Sequence, residues 1–496
     1  MTRDPSQSSG PGLDTVEIAR VERMLRERTP EDLRRLFTEA ELQYAGEGPQ
    51  RAARLAARFA AKEACCKLFP RETALGVIGP ADFGVRRDAY GGPCVVLSRE
   101  AQYVLDRRCL AGIRLSLTHT ETNASAIAWA DPRKIEAPWF GRVLYHLFPF
   151  RRNVVLGNLR RVFGEVLSER DIRRVAQAYC AHFTCFLLEF ARLPLMSPER
   201  RKAWVRVENM EALIRAGGQG KGLLLLTGHF GNWEVATVAG MGQFPQYRRL
   251  FHFVRRPLKP LWLNDFVTRR FQRSGFGTLA KRGSLDAILE LLAGGAILVY
   301  VLDQHAGGRD GITVDFLGHP ASTFKSLAVL ALNTGAPVIP ACCWREPDGT
   351  HVLRFEEPLP LIECDDTGEA IRQNTRCYNA ALERMLLRHP EQWIWMHRRW
   401  KSAGPPTNSS RATSAEPTRR SLASMRTVAR ASSAAANAVT NQAAAMNGQS
   451  RVPIRISLAA TAMLATGTTT IAERRRTAGS IGATAGRSPS SITGVK

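Results

Sequence analysis

The sequence predicts an α/β protein in which a small α+β domain precedes a larger α/β domain with a mostly parallel sheet and a disordered C-terminal tail. Three observations support this prediction. The chain has 496 residues, too many for one ordinary core. Strand-sized apolar runs alternate with helical segments through residues 221–355. Beyond Lys401 the chain has no aromatic residue and consists largely of Ala, Ser, Thr and Arg.

Changes in composition set the predicted boundaries. Residues 1–12 are predicted to be disordered and residues 13–131 to form the first domain. Residues 132–140 are polar and proline-flanked, which indicates a linker, and residues 141–401 form the second domain. Residues 402–496 are too poor in large apolar side chains to offset their ordering entropy. Two interpretations of this tail stay open, a segment that binds anionic lipid or nucleic acid and an unselected extension.

The charge of the chain favours anionic partners. The net charge is +24, of which the tail supplies +10 from 12 Lys and Arg against two Asp and Glu. Nucleic acid, an anionic membrane, phosphorylated cofactors and acidic carrier proteins all fit such a balance. The chain has no DNA- or RNA-binding signature and much of the surplus lies in the tail, so no specific nucleic acid is expected.

Compartment signals are few. No run of about 18 apolar residues predicts a transmembrane helix, and the first residues lack the apolar core of a secretory signal. The ten cysteines show no zinc spacing and are interpreted as reduced, as in a cytoplasmic protein.

Four residues of the first domain are candidates for chemistry. Asp14 ends a short apolar segment, Lys62 and Glu63 are neighbours on a predicted helix over 51–69, and His119 ends a predicted strand. Two carboxylates brought together would suit magnesium, and a nearby lysine would suit a phosphate. Taken singly, each residue also fits a structural role: a helix cap, a solvated helix face or a polar loop.

Five strings occur in order in this domain: LDTVEIARVERML, FTEAE, RLAARFAAKEACCKL, YGGP and LSLTHTETNASAIA. Together they resemble the holo-acyl-carrier-protein synthase group of 4'-phosphopantetheinyl transferases. The resemblance implies that Asp14 and Glu63 bind Mg²⁺, and that Lys62 (a catalytic residue) and His119 contact the phosphates of the substrate coenzyme A. The family usually has a glycine just before the aspartate, where this chain has Leu13, so the start is expected to be remodelled.

The second domain opens with the aromatic and basic segment WFGRVLYHLFPFRRNVVLGNLRRVFGE. This segment fits a helix on a membrane surface or an ordinary core helix with an arginine-rich outer face. Strands are then predicted at 221–227, 250–254, 296–302, 337–344 and 351–355, with a helix from Ser284 through Leu292. The alternation favours a mostly parallel sheet.

His229 and Glu234 directly follow the first of these strands, where open α/β sheets place their sites. A histidine there takes a proton from an attacking hydroxyl, and a carboxylate one helical turn further can hold its other ring nitrogen. A bare His-x4-Glu pattern also fits a histidine at a helix start with an incidental glutamate.

The surrounding strings LLLLTGHFGNWE, VRRPL, RRFQRSGFG, LVYVLDQHAG, VDFLGHPASTF, TGAPVIPACCWR and EQWIWMHRRWK are similar to the lipid A biosynthesis lauroyl/myristoyl acyltransferase family. The resemblance implies catalytic His229 and Glu234 and transfer of an acyl chain from acyl carrier protein to a hydroxyl of a membrane glycolipid, without a cofactor. It also implies that Arg256, Arg270 and Asp303 bind substrate or shape the site, with Arg269 as the alternative to Arg270.

The two resemblances together predict a bifunctional transferase that lies peripherally on the cytoplasmic face of the inner membrane. Both halves would dock an acidic carrier protein, which suits a basic surface. Two rival hypotheses stay open: a silent first domain that only docks the carrier, and a basic nucleic-acid-binding protein.

Overall fold

The computed structural model describes residues 10–70, 76–255, 261–280 and 283–401. Of the N-terminal segment 1–12 that was predicted to be disordered, residues 1–9 lie outside the described residues and Gly12 begins the first strand; the predicted tail 402–496 also lies outside them. Within them the chain has the predicted α/β character, with a mostly parallel seven-stranded sheet in its second part.

The first domain packs helices against a three-stranded antiparallel sheet. Its strands are β1 Gly12–Glu17, β4 Leu110–His119 and β5 Asn123–Pro132, in the order β1-β5-β4, and a separate hairpin joins β2 Phe83–Arg87 to β3 Pro93–Leu97. Its helices are α1 Ile18–Glu27, α2 Pro30–Arg34, α3 Glu39–Ala45, α4 Arg51–Cys66 and α5 Arg99–Arg107.

Helix α4 is the central element of this domain. Ten of its 16 residues are buried, and five of these are alanines, whose small side chains let the helix lie close to β1 and β5. A Cβ added at Gly12 would lie 1.9 Å from the carbonyl oxygen of Ala64. The close approach of β1 to α4 therefore requires glycine at position 12, two residues before Asp14. Leu13, which stands where the family usually has glycine, is exposed.

The second domain begins with helices. They are α6 Trp139–Leu147, α7 Arg152–Phe163, α8 Glu169–Arg192, α9 Pro198–Trp204 and α10 Met210–Gly217. The later helices are α11 Trp233–Val235, which continues into a π-turn over Ala236–Gly240, then α12 Leu261–Arg273, α13 Leu285–Ala293, α14 Ser326–Thr334 and α15 Thr367–Arg388.

Seven strands form the sheet of this domain. They are β6 Val205–Glu208, β7 Leu223–Thr227, β8 Phe251–Arg255, β9 Gly277–Ala280, β10 Ile297–Val301, β13 Val338–Arg345 and β14 His351–Phe355. Their order is β6-β14-β13-β7-β10-β8-β9, and every neighbouring pair is parallel except β13 with β14. A separate antiparallel hairpin joins β11 Gly311–Phe316 to β12 His319–Phe324.

Strand β7 lies at the centre and is apolar at four consecutive positions because both faces of the sheet are covered. Leu224 and Leu226 pack into one core with α7, α8 and α15. Leu223 and Leu225 pack into a second core on the other face, with α10 and the π-turn. Because β7 and β10 are parallel neighbours, their carboxyl ends lie side by side, with Thr227 paired to Val301.

Candidate functional site

Two predicted site residues meet at the carboxyl ends of β7 and β10. His229 follows β7 and Asp303 follows β10, and these positions are 74 residues apart in the chain. Because the two strands are parallel neighbours, the loops that leave them open at the same edge of the sheet. This edge is the candidate active site of the second domain.

Three N–H groups converge on the buried carboxylate of Asp303. The backbone N–H of His229 donates to Oδ2 at 2.7 Å, and the Nε1–H of Trp393 donates to the same oxygen at 2.8 Å. The His229 ring lies with Nδ1 at 2.9 Å from Oδ1. Burial by itself would raise the pKa of Asp303, but the His229 ring and its hydrogen bonds outweigh burial and hold the pKa far below its usual range. An ionised Asp303 requires a proton on Nδ1, which leaves Nε2 as the acceptor.

Glu234 does not hold the His229 ring, which corrects the contact expected from the spacing. No hydrogen bond joins the two side chains, and Oε2 of Glu234 has no hydrogen-bond partner within the described residues. Glu234 is the second residue of α11, exposes 9% of its surface and lines the cavity beside His229. Burial raises its pKa to about 7 against the opposing influence of Arg270, Arg255 and His229. The Nδ1 position is already taken by Asp303.

The predicted arginines have different outcomes. Arg270 lies close enough to Glu234 to raise the charged fraction of that carboxyl, and its Nη1 donates to the carbonyl of Phe190 at 3.1 Å. Arg269, the alternative position, is exposed. Arg256 lies outside the described residues. Arg255, which the sequence did not single out, lines the cavity and donates to Oδ1 of Asn264 at 3.1 Å.

An apolar cavity of about 390 Å³ opens beside His229. Its polar members include His229, Glu234, Arg255, Gln304 and His305. The rest of its wall is largely aliphatic and aromatic, with Leu225, Met241, Phe251, Phe253, Val267, Phe271, Val299, Leu353 and Phe355. A long hydrocarbon fits such a wall, because burying it removes apolar surface from water.

The closing segment of the domain covers the same edge. His397 places its ring 5.3 Å from the His229 ring, and the Trp233 ring lies edge-on to His229 at 4.8 Å. Asn158 fixes this segment by donating to the carbonyls of Trp395 and His397 at 2.8 and 2.7 Å. The string EQWIWMHRRWK is one of those that carry the family resemblance, but its residues Trp393 and His397, which the fold brings to the site, were not predicted as site residues.

In the first domain two predicted metal ligands come together. Asp14 on β1 lies near Glu63 on α4, and burial followed by the charge of Asp14 raises the pKa of Glu63. Lys67, one turn beyond Glu63, places Nζ at 2.7 Å from Oδ1 of Asp14 and 2.8 Å from the carbonyl of Leu13. Among the described residues no cluster of three or more His, Cys, Asp or Glu is arranged to hold a metal. The carboxylate pair nevertheless fits a hard divalent ion that takes its other ligands from phosphate and water.

Lys62 has a different position from the one expected. Its side chain is fully buried, pairs with Oε2 of Glu41 at 2.8 Å and donates to the carbonyl of Pro80 at 3.1 Å. Neighbouring residues on a helix point about 100° apart, so Lys62 faces the core while Glu63 faces β1. In this structure the lysine at the carboxylates is Lys67. His119 is exposed at the end of β4, two strands away from β1 in the sheet.

The aromatic entry segment has one buried face and several exposed apolar side chains. Gly141 and Tyr145 of α6 are buried against α8, while Trp139, Leu147 and Phe150 are exposed. Across the described ranges, no helix has the length and hydropathy needed to cross a bilayer.

Comparison with known proteins finds two families in one chain. A family model described as bacterial lipid A biosynthesis acyltransferase matches residues 137–402. A second model, described as the 4'-phosphopantetheinyl transferase superfamily, matches residues 10–117.

Characterised relatives match the same two regions. Lipid A biosynthesis lauroyltransferase of Escherichia coli is 27% identical over 266 residues, which cover 53% of this chain and 83% of that protein. Phosphatidylinositol mannoside acyltransferase of Mycolicibacterium smegmatis is 26% identical over 253 residues, covering 49% and 77%. Holo-[acyl-carrier-protein] synthase of Syntrophus aciditrophicus is 34% identical over 118 residues, covering 24% and 91%. Both predicted resemblances are therefore confirmed.

Proposed function

Since the chain belongs to the bacterial lipid A biosynthesis acyltransferase family through its second domain and to the 4'-phosphopantetheinyl transferase superfamily through its first, we propose a specific pair of reactions for it. The second domain moves a fatty acyl chain from an acyl-carrier-protein thioester to a hydroxyl of a lipid A-like membrane glycolipid. The first domain moves 4'-phosphopantetheine from coenzyme A to a serine of a carrier protein.

His229 is the general base of the acyl transfer. Its Nε2 takes the proton of the acceptor hydroxyl as the oxygen attacks the thioester carbonyl carbon. A C–O bond forms, the C–S bond breaks, and the carrier thiolate leaves with the proton that His229 had taken up. Asp303 stays ionised, keeps the proton on Nδ1 and stabilises the imidazolium. The observation that carries the proposal is this His229–Asp303 pair at the wall of an apolar cavity.

Glu234 has a separate role in this proposal. Its unpaired oxygen faces a cavity that otherwise offers few polar groups. With Arg255 and Arg270 nearby, it forms the polar end of the substrate site and bonds a hydroxyl or amide of the substrate. The acyl chain takes the apolar part of the cavity. The predicted His-Glu dyad is thereby replaced by a histidine flanked by two carboxylates with different tasks.

In the first domain Asp14 and Glu63 would hold Mg²⁺, which when bound would neutralise charge on the pyrophosphate of coenzyme A. Lys67 releases Asp14 and contacts a phosphate oxygen, and His119 contacts the nucleotide phosphates. The carrier serine attacks the β-phosphorus of coenzyme A; a new P–O bond forms, the bond from that phosphorus to the bridging oxygen breaks, and 3',5'-ADP leaves while the serine proton passes to solvent.

We place the protein on the cytoplasmic face of the inner membrane. Exposed apolar side chains cluster at the end of α8 and on α12, where the Phe190 and Phe266 rings lie 6.2 Å apart. The exposed members are Leu187, Leu188, Leu195, Leu261, Trp262 and Phe266. Arg192, Arg269 and Arg273 are exposed on the same elements, so an anionic bilayer suits this surface.

Two assays test the proposal on one purified protein. In the first, acyl-loaded carrier and a lipid extract are supplied, and wild type is expected to label a glycolipid that His229→Ala does not label. In the second, apo-carrier and coenzyme A are supplied, and Asp14→Ala with Glu63→Ala is expected to abolish conversion to holo-carrier. Carrier binding without conversion by wild type would instead support a docking module, and an active His229→Ala would reject the general base.

A further inference from the structure

A buried group of polar residues lies directly behind the turn that carries His229. Glu189 on α8 binds Arg345 at the end of β13 through two bonds, Nε to Oε1 at 2.7 Å and Nη2 to Oε2 at 2.9 Å. The same Oε2 accepts a bond from Nδ2 of Asn232 at 2.9 Å. His351 Nε2 lies 3.5 Å from this oxygen.

Asn232 connects this group to the catalytic turn. It is fully buried, lies three residues after His229, and caps α11 by accepting the backbone N–H of Val235 at 3.2 Å. Its Nδ2 is therefore oriented by Glu189 while its Oδ1 fixes the start of the helix. A substitution of Glu189 therefore alters the orientation of the Asn232 amide and, with it, the hydrogen bond by which Oδ1 caps α11.

Arg345 holds the other side of the turn through the backbone. Its N–H donates to Oε1 of Gln392 at 2.7 Å, and Nε2 of Gln392 donates back to its carbonyl at 2.9 Å. The carbonyl of Gln392 in turn accepts the N–H of Gly231 at 2.9 Å. Glu189 and Arg345 thus reach the turn at Asn232 and at Gly231, on either side of one peptide unit.

Glu189 is held ionised in this setting. Burial would raise its pKa, but the close approach of His351, the hydrogen bonds and charge of Arg345 and the bond from Asn232 together lower its pKa to about 2. An uncharged residue at this position would leave the Arg345 guanidinium buried without its counter-charge.

We propose that Glu189 and Arg345 are a positioning pair that orients the turn His229–Trp233 through Asn232 and Gln392, so that Nδ1 of His229 stays on Asp303. The inference rests on the proposed acyl transfer. Neither residue touches the reacting atoms. Small displacements of a general base have large effects on rate, so the pair contributes to kcat and not to substrate affinity.

The test compares Glu189→Gln with a matched control, Glu356→Gln. The two carboxylates are equally buried, with 15% and 16% of their side chains exposed, and each pairs with an arginine, but the Glu356–Arg388 pair lies away from the turn. We expect kcat to fall about 10- to 100-fold in Glu189→Gln with KM within about twofold, and to stay unchanged in Glu356→Gln at a similar melting temperature.

A double-mutant cycle with Asn232→Ala tests the route. Because Glu189 contacts Asn232 directly and reaches Gly231 through Arg345 and Gln392, the double variant is expected to lose less kcat than the product of the two single losses; fully multiplied losses would overturn the proposed route. The Nδ1–H proton resonance of His229, identified by its loss in His229→Ala, supplies a readout without substrate. It should shift or broaden in Glu189→Gln only.

An unchanged resonance together with unchanged kcat overturns the positioning role, and so does an equal loss of kcat in Glu356→Gln. If the wild-type protein transfers no acyl group, the proposed function fails. The resonance then still decides whether Glu189 positions His229.

Discussion

Asp303 binds both the ring and the backbone N–H of His229, so its charge fixes the tautomer as well as the position of the base. We predict that Asp303→Asn lowers kcat by about 10³–10⁴-fold. An amide NH₂ cannot accept the hydrogen bonds that the carboxylate accepts, and it no longer favours the proton on Nδ1 of His229. Acyl-transfer kinetics check this, with Glu234→Gln as the comparison. A larger loss in Glu234→Gln than in Asp303→Asn would return Glu234 to the role of ring partner.

Glu234 should make folding stability depend on pH. Its pKa rises from 4.5 unfolded to about 7 folded, so its contribution to stability is complete below pH 4.5 and is lost as pH rises through 7. We predict that Glu234→Gln, which carries no charge, is more stable than wild type above pH 7, by up to about 3 kcal/mol. This advantage shrinks towards pH 4.5. Urea unfolding at pH 4.5, 6 and 8 measures the difference, and a pH-independent difference would contradict it.

At the residue scale the sequence predicted the general base His229 but not which carboxylate binds its ring. His229 was predictable because it follows an apolar strand within GHFGNWE. Which of the two carboxylates binds Nδ1 of His229 was not predictable, because Glu234 is close to it in the chain and Asp303, which binds it in the structure, is 74 residues away. Likewise, Lys62 lies in α4 and Lys67 directly follows its last residue, and only the packing of α4 against β1 shows which of the two lysines contacts Asp14.

The turn between β7 and α11 has little room for change. Gly231 has φ +52°, and an added Cβ would lie 2.6 Å from the carbonyl oxygen of Cys343. We predict that Gly231→Ala costs about 3 kcal/mol of stability and most of the acyl-transfer activity. The control is Gly349→Ala, with φ +87° and open space around the added carbon, which should cost about 1 kcal/mol and leave activity unchanged. Equal losses would rule out the steric explanation.

The exposed face of α12 carries the proposed membrane contact. We predict that Trp262→Ser reduces binding to anionic vesicles, measured by sedimentation, by roughly tenfold, because a tenfold change needs only about 1.4 kcal/mol and burying a tryptophan side chain in the bilayer interface removes a large apolar surface from water. Tyr90→Ser is the control, since Tyr90 is an aromatic residue on the first domain that is even more exposed than Trp262, at 99% against 70%. Unaltered binding by Trp262→Ser would place the contact elsewhere.

Element types were more predictable than their arrangement. The strand predicted at 296–302 is β10 Ile297–Val301, and the helix predicted from Ser284 through Leu292 is α13 Leu285–Ala293. Helix α4 ends at Cys66, three residues before the predicted end. The order of the seven strands was not predictable, because local patterns carry no information about which strands pair.

At the scale of the whole molecule, the two domains share a buried polar contact. Tyr103 of α5 donates to Oε2 of Glu383 on α15 at 2.9 Å. The same fully buried carboxylate accepts the N–H of Leu317 at 2.9 Å and two bonds from Arg376. Arg107, which lies on α5 with Tyr103, donates to the carbonyls of Val162 and Leu317 in the second domain. The segment predicted as a linker therefore joins domains that are packed together.

We predict that Tyr103→Phe lowers the stability of both domains together by about 1–2 kcal/mol, because Glu383 loses a donor in a place that water does not reach. Differential scanning calorimetry checks this, with one transition expected before and after the substitution. Tyr44→Phe, a partly exposed tyrosine of the first domain, is the control. Two separate transitions in wild type would show that the contact does not couple the domains.

The contact between α5 and α15 also follows the direction of protein synthesis. Translation completes the first domain, with Tyr103 and Arg107 in place, while most of the second is still being made. Helix α15 is the last long helix of the described chain, and its buried Glu383 leaves the ribosome after Tyr103, which donates a hydrogen bond to it. The completed first domain thus offers a folded surface on which the second domain packs as its synthesis ends. Tyr103 is then already in place to donate to Glu383 when that carboxylate becomes buried.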